Sequence, residues 1–261
     1  MADTGPRLTI GVLTLNEERH IERCLQSVAF ADEIVVVDSG SRDRTVELAR
    51  ALGASVHIHA DWQGFGVQRS RLLQHAHGDY VFFVDADEAV TPELRQEVQA
   101  LVASGRQAVA TVRWRVVAFG RELRWFRGQS SVERLFPRAQ LQGYTGLVHE
   151  HPELRDPDLP RHDFRGRLLH TSRESVGDSL QKLRQYAMLG AAKRAQAGRR
   201  GGVWRGIVSG GAVFLRLYFV RLGFLGGGAG FLFCLFIALE SFFRYAALQY
   251  DREVLRSDVA R

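Results

Sequence analysis

Two short stretches place acidic side chains at spacings that could support chemistry. Val84-Asp85-Ala86-Asp87-Glu88 sets carboxylates at i and i+2 directly after an apolar run. Oxygens so spaced can share one hard cation, Mg²⁺ or Mn²⁺, which keeps open positions for diphosphate oxygens. The same acidic loop also suits the start of a helix at Thr91-Pro92, where negative charge is favoured without a metal. Val37-Asp38-Ser39-Gly40-Ser41-Arg42-Asp43 ends a second apolar run in a carboxylate, with Gly40 free to turn the chain. Asp38 can accept hydrogen bonds from a base or a ribose there, or act with Asp43 as a turn and cap residue.

These residues need a frame. Residues 8–13 and 34–37 are short apolar runs, the second entirely β-branched, as in strands covered on both faces. Between them Ile21, Cys24, Leu25 and Val28 recur at helical spacing, with Asn16 placed to cap. Residues 41–52 predict a second helix stopped by Gly53, 55–58 a third strand, 67–77 a helix and 80–84 a fourth strand. Thr91 as N-cap and Pro92 at the first helical position then open a helix through Val102. This alternation predicts an α/β fold with a doubly wound, mostly parallel sheet. In such sheets ligands sit outside the carboxyl ends of the strands, where Asn16, Asp38, Asp85 and Asp87 would converge.

Residues 113–171 are irregular and rich in Arg, Trp, Gly and His, which predicts short strands and loops. Residues 175–197 form a polar amphipathic helix, and 203–250 turn strongly apolar. Residues 222–239 hold no charge, but Arg216, Arg221 and Arg244 flank them closely. A helix lying in a membrane interface accounts for both features; a buried core helix and a membrane span are the alternatives. The expected division is 1–175 as the main domain, with halves 7–105 and 106–175, and 176–261 as a helical extension.

The 261 residues carry a formal charge of +6, almost all of the basic side chains being Arg. That excess favours anionic partners, but no run of five basic residues forms an arm for nucleic acid. Cys24 and Cys234 stand alone in apolar surroundings, so neither a disulfide framework nor a zinc knuckle is expected. The first ten residues lack the pattern of a secretory signal, and the expected location is cytoplasmic. A dinucleotide dehydrogenase is disfavoured because GxGxxG is missing. A sugar-nucleotide pyrophosphorylase would need a glycine-rich basic loop where Thr14-Leu15-Asn16-Glu17 stands.

The stretches LTLNEERHIERCLQSV, DEIVVVDSGSRDRTVELARALGA, WQGFGVQRS and GDYVFFVDADEAVTPEL, in this order, resemble glycosyltransferase family 2. The likeness is strongest to its bacterial lipopolysaccharide inner-core glucosyltransferase-like branch. It continues through RWFRGQSSVERLFPR, GLVHEH and GFLGGGAGFLFCLFIALESFFRYAAL. The resemblance implies a GT-A fold, a nucleotide-diphospho-sugar donor, a divalent metal and inversion at the anomeric carbon. It implies that Thr14, Asn16 and Glu17 line the nucleotide pocket and that Asp38 contacts the base. Gln68, Arg69 and Arg71 would lie beside the base or the diphosphate. Asp85 and Asp87 would hold ribose and metal, Asp87 by direct coordination.

An inverting displacement also needs a carboxylate to take the acceptor's proton. Glu150 within Val148-His149-Glu150-His151 is the candidate, and His149 or His151 could complete the metal shell. A polar surface turn is the plainer reading of the same residues. Trp114, Trp125 and Phe126 could stack an acceptor sugar, though packing is the commoner use of such rings. The expected function is transfer of a hexose, with glucose the branch's suggestion, to a lipopolysaccharide-core or other lipid-linked glycan acceptor at the inner-membrane surface. A polyprenyl-phosphate acceptor, or a membrane-docked assembly protein that binds nucleotide sugars without turnover, are the alternatives.

Overall fold

The computed structural model of the chain describes residues 7–126, 131–145 and 151–252. Strands and helices alternate at first: β1 (Leu8–Thr14), α1 (Ile21–Ser27), β2 (Glu33–Asp38), α2 (Thr45–Ala51), β3 (Ser55–Ile58), α3 (Phe65–His75) and β4 (Tyr80–Asp85). There follow β5 (Glu88–Val90), α4 (Pro92–Ala103), β6 (Val109–Ala118), β7 (Arg121–Glu122), β8 (Ser131–Pro137), β9 (Leu141–Thr145), β10 (His151–Leu154) and β11 (Arg161–Arg173). Three helices close the described chain: α5 (Val176–Gln196), α6 (Val203–Leu215) and α7 (Gly227–Tyr250). The main sheet runs β3-β2-β1-β4-β8-β6-β11-β5, with β7 beside β6; β9 and β10 form a separate hairpin. Its first four strands are parallel, and antiparallel pairing begins where β4 meets β8. This is the parallel-dominated α/β architecture of the GT-A fold.

The chain divides into two compact units. One comprises Met1–Trp114 with Gln129–His170, the other Arg115–Gly128 with Thr171–Arg261. In the first, β1 and β4 are apolar and buried, so both faces of the sheet's centre are covered. Ile10, Val12, Ile21, Leu25, Phe82 and Leu94 form the larger core, and Val35, Val37, Leu72, Phe83 and Phe136 fill the other face. Register is what matters for the site. Thr14 pairs with Asp38 across β1 and β2, and Leu13 with Asp85 across β1 and β4. The carboxyl ends of three strands therefore meet on one edge.

Several expectations change. Asn16 does not cap α1, whose N-cap is His20 without a side-chain bond. Asn16 instead adopts a left-handed φ of 55°, donates its N–H to Ser41 Oγ and accepts from Arg42 N–H. The helix expected over 41–52 starts only at Thr45, because residues 39–44 form the turn that Asp38 anchors. Gly40 makes that turn possible at φ 93°. Residues 113–171 hold two long strands, β6 and β11, rather than only short ones. Thr91 does cap α4, accepting from Leu94 N–H above Pro92.

In the second unit α6 runs into a π-helical turn over Arg216–Val220 and a 3-10 turn over Gly223–Gly226 before α7. The charge-free run 222–239 is thus not one helix. Leu222 is left-handed at φ 61°, and a Cβ on Gly226 would meet Leu123 at 2.7 Å, so the chain turns there before α7 begins. Val203–Val220 and Gly223–Tyr250 are each long and apolar enough to cross a membrane by length and composition. The α6 and α7 backbones approach closely where Gly206 and Gly210 face the carbonyls of Phe242 and Ala238; a Cβ would meet them at 2.9 and 3.0 Å. Ser209 and Ser241 share a hydrogen bond of 2.8 Å across the same seam.

Glu33 stitches the opposite edge of the parallel sheet. It accepts from Thr9 Oγ1 at 2.5 Å and from His77 through its backbone N–H and ring, at 2.8 and 2.7 Å. Partial burial pushes its carboxyl up, but these hydrogen bonds outweigh it and hold the group below its ordinary value. A depressed carboxyl stabilises the fold fully above its unfolded pKa, and that stabilisation is lost as pH falls through the folded value. Glu33→Gln is expected to cost about 1 kcal/mol at pH 7 and nothing once both forms are acidified below the folded value. Urea unfolding of both proteins across that range checks this; a difference independent of pH refutes the carboxylate's role.

Candidate active site

A cavity of about 420 Å³ opens at the carboxyl ends of β1, β2 and β4. Its ionisable wall, Asp85 and Asp87 after β4 with His170 of β11, lies on the β4 side, and its aromatic wall, Trp62 and Phe65, follows β3; Leu13, Thr14, Leu15, Glu17 and Ser39 come from the ends of β1 and β2 between. Charged groups towards one end and aromatic ones towards the other suit a ligand with one highly charged end and one flat, weakly polar end.

The ionisable wall is organised from behind by Arg134 of β8. Its guanidinium, 2% exposed, binds both Asp85 oxygens at 3.2 and 2.6 Å and Glu88 at 3.1 Å. It lies over the Trp114 ring, whose Nε1 donates to Glu88 as well. Glu88 also accepts the backbone N–H of Asp85 at 2.9 Å, which folds the acidic loop back on itself. Burial pushes the Glu88 carboxyl up to about 7 against the opposing charge of Arg134, and the charge of Asp85 adds to the rise. For Asp85, burial also acts upward, but Arg134 and then Arg69 outweigh it and hold this carboxyl well below the usual range. Asp85 therefore stays anionic with its charge already matched.

Asp87 faces the cavity differently. Its side chain meets His170 of β11, Nε2 to Oδ2 at 3.2 Å. Burial would lower the His170 pKa, but the hydrogen bond and charge of Asp87 raise it above its ordinary value. A carboxylate and an imidazole thus sit together on the cavity wall. Among the described residues no three His, Cys, Asp or Glu side chains form a ready-made metal cage. The Asp87 carboxylate, joined by the His170 imidazole once it is deprotonated, fits a divalent cation whose other positions are filled by phosphate oxygens and water; the imidazole suits Mn²⁺ better than Mg²⁺.

The remaining predicted residues fall in two groups. Thr14 and Glu17 line the cavity. Asp38 lies behind it, buried, with four hydrogen bonds: from Thr14 Oγ1 at 2.9 Å, Ser41 Oγ at 2.5 Å, and the backbone N–H groups of Gly40 and Ser41 at 2.9 and 2.8 Å. Its neighbour Ser39 reaches the cavity in its place. Gln68 is buried and donates to Ser39 Oγ and the His59 carbonyl, while its own oxygen accepts from Arg71. Arg71 grips Asp61 at 2.5 Å. These contacts tie α3 to the loop that carries Trp62. Arg69 lies over Tyr144 and reaches Asp85 at 3.4 Å. His151 is exposed in the β9–β10 hairpin; His149 and Glu150 lie outside the described residues.

Sequence reasoning missed Arg134, His170, Trp62 and Phe65 as site residues. Arg134 had a weak signal, a basic residue placed beside Glu133 just before the apolar pair Leu135-Phe136, and Trp62 and Phe65 follow a strand's carboxyl end. His170 had none, since β11 is far along the chain and not part of the alternating pattern. Of the rings weighed as a sugar platform, Trp114 is committed to Glu88, Phe126 packs edge-on against Phe233, and Trp125 is exposed.

A parallel sheet with an acidic pair at its β4 terminus, beside a cavity of this size, has its candidate site in the carboxyl-end crevice where α/β enzymes bind their ligands. The sequence model of Glycosyl transferase family 2 matches residues 9–155, and the chain belongs to that family; it is a glycosyltransferase. The lipopolysaccharide core biosynthesis glycosyltransferase LpsC of Rhizobium meliloti (strain 1021) is 28% identical over 265 residues, covering 97% of this chain and 96% of that one. An uncharacterized glycosyltransferase of Rickettsia bellii (strain RML369-C) is 38% identical over 102 residues, 39% of this chain and 34% of its own. Among solved structures, glucosyl-3-phosphoglycerate synthase from Mycobacterium tuberculosis, in complex with Mn²⁺, UDP and glucosyl-3-phosphoglycerate, matches at 24% identity and TM-score 0.41. That match covers 54% of this chain and 60% of that one.

Arg134→Met is expected to destabilise the fold by roughly 3–5 kcal/mol, because it leaves Asp85 and Glu88 without their shared counter-charge. Adding Glu88→Gln should return part of the loss. Urea unfolding of the two variants at pH 7 decides; equal stability of Arg134→Met and the parent chain refutes the buried cluster as an anchor.

Proposed function

We propose that the chain transfers a hexose, with inversion, from a nucleotide-diphospho-sugar to a lipid-linked glycan acceptor of the lipopolysaccharide-core type, at the cytoplasmic face of a membrane. The single observation that carries this is the cavity itself, with Asp87 and His170 on one wall and Trp62 and Phe65 on the other. The near full-length likeness to a lipopolysaccharide core glycosyltransferase supports the acceptor class. The apolar face of the second unit supports the membrane.

In this reading the nucleoside lies along Thr14, Glu17 and the aromatic wall, with Asn16, Asp38, Gln68, Arg69 and Arg71 shaping the wall from behind. Asp87 and His170 would hold a divalent cation, Mg²⁺ or Mn²⁺, which offsets negative charge growing on the departing diphosphate. Asp85 is already neutralised by Arg134 and Arg69, so it orients the loop and is open to a ribose hydroxyl. The acceptor hydroxyl attacks the anomeric carbon from the face opposite the diphosphate, and Glu150 takes its proton. His149 and His151 remain proposals for the metal shell.

The test is release of nucleoside diphosphate from a panel of donor sugars, with and without Mn²⁺. Asp87→Ala and His170→Ala should each lower turnover by at least about 100-fold with the fold intact, since each removes a donor to the charge-stabilising cation. Glu150→Gln should retain donor binding and lose transfer. Full metal-dependent turnover in folded Asp87→Ala would end this assignment.

Trp62→Ala should weaken nucleoside diphosphate binding about tenfold, as loss of one base-stacking ring does. Titration calorimetry with the free diphosphate measures it. An unchanged affinity would move the base off the aromatic wall.

A further inference from the structure

The second unit carries a cavity of its own. It has a volume of about 270 Å³ and lies between the β7 segment and the turn joining α6 to α7. Arg121, Arg124 and Trp125 form one side of it, Leu222 and Leu225 the other. Glu122 also lines it, but that carboxylate is bound by Arg115 at 2.8 Å and approached by Arg124 at 3.5 Å. Arg121 makes no ion pair among the described residues; its guanidinium lies over Gly227, where a Cβ would come within 3.1 Å of it. Arg216 and Arg221 flank the turn in the sequence, also without carboxylate partners among the described residues. Arg115, Arg121 and Arg124 thus stand near one carboxylate, while Arg216 and Arg221 add charge to the same turn in sequence.

The cavity adjoins an unusual surface. Along α6, Trp204, Val208 and Leu215 recur on one outward face, and Phe219 continues it into the turn; Trp204 is 77% and Val208 68% exposed. Val220, Phe224 and Leu225 extend the apolar surface to the cavity rim. The inward face of α6 is closed by its glycine contacts with α7. On its other sides α7 is held by soluble-type packing: Phe233 and Cys234 cluster with Val116, Ala118 and Leu123, and Ala247 and Leu248 with Ala191. Its Glu240 pairs with Arg173, buried within the same unit. A helix so engaged does not shed these partners to enter hydrocarbon, so α7 stays in the protein and α6 is the lipid-facing element. An apolar stripe bordered by arginines, with Trp125 at the rim, has the make-up of a surface that lies in the headgroup layer.

We propose that the second unit docks on an anionic bilayer through the outward face of α6 and its following turn, and that the Arg121–Arg124 cavity seats the phosphate of a lipid headgroup. Planar guanidinium pairs suit phosphate through paired hydrogen bonds that an ammonium group does not reproduce. This rests on the membrane reading above and adds to it a defined recognition site.

The experiment is co-sedimentation of the full chain with vesicles of phosphatidylcholine alone and of phosphatidylcholine mixed with phosphatidylglycerol. The parent chain should prefer the mixed vesicles. Arg121→Ala/Arg124→Ala should weaken that binding about twenty-five-fold, at roughly one factor of five for each arginine at an anionic surface. Arg121→Lys/Arg124→Lys, which keeps the charge, should recover only part of it. Turnover of a soluble donor by hydrolysis should be unchanged in both, which shows that the fold and the first cavity survive. Binding by the alanine pair equal to that of the parent overturns the headgroup site while leaving membrane docking in place. Full recovery by the lysine pair also overturns it, because diffuse attraction then suffices. A parent chain that ignores both vesicles, or covers α6 by forming a dimer, overturns the membrane reading itself.

Discussion

The charge of one buried arginine sets the form of the active-site edge. Arg134 reaches through the sheet from an antiparallel strand and binds the acidic loop at the end of a parallel one. Two carboxylates three residues apart would otherwise repel each other in a poorly solvated place. With the guanidinium between them, Asp85 and Glu88 become fixed points, and Asp87 joins Asp85 in lining the cavity without contacting that guanidinium. The arrangement separates two tasks that a bare acidic pair would confuse. Asp85 and Glu88 are matched by the buried guanidinium, and Asp87 is matched by His170 in the cavity wall.

A similar division governs the other side of the cavity. Asp38 directs four hydrogen bonds inward and so builds the turn that exposes Ser39. Gln68 and Arg71 direct theirs to the loop before α3, which presents Trp62 and Phe65 edge to face at 4.9 Å. Polar residues near the site mostly hold backbone in place, and a smaller set meets the cavity. Buried polar groups that are fully satisfied lend rigidity to such a site.

The parallel half of the fold was legible because its signals are local. Apolar runs at 8–13, 34–37 and 80–84 became β1, β2 and β4 within a residue or two, and Thr91-Pro92 opened its helix. The placement of Asp38, Asp85 and Asp87 on one edge followed from strand order alone, whereas Asn16, expected with them, is bound to the turn at residues 41 and 42. What was not legible depends on partners distant in sequence. Arg134 meets Asp85 across 49 residues, and His170 reaches Asp87 from a strand that no periodicity announced. Asn16 looked like a helix cap because its type and position fit one; its bonds to residues 41 and 42 come from a neighbouring loop that only the folded sheet brings close. The apolar run at 222–239 hid its break because glycine and leucine show no polarity change where the chain turns.

Neither compact unit is a continuous piece of chain. Residues 115–128 lie within the span of the first unit, yet their apolar side chains, Val116, Ala118 and Leu123, pack with Leu217, Phe233 and Cys234 near the other end of the sequence. Removing the apolar helices to obtain a smaller soluble enzyme would therefore strip the cover from an internal segment. During synthesis the same segment emerges about a hundred residues before its partners, and at ribosomal speed it waits seconds for them. The C-terminal helices are thus also needed to finish folding a stretch translated long before them.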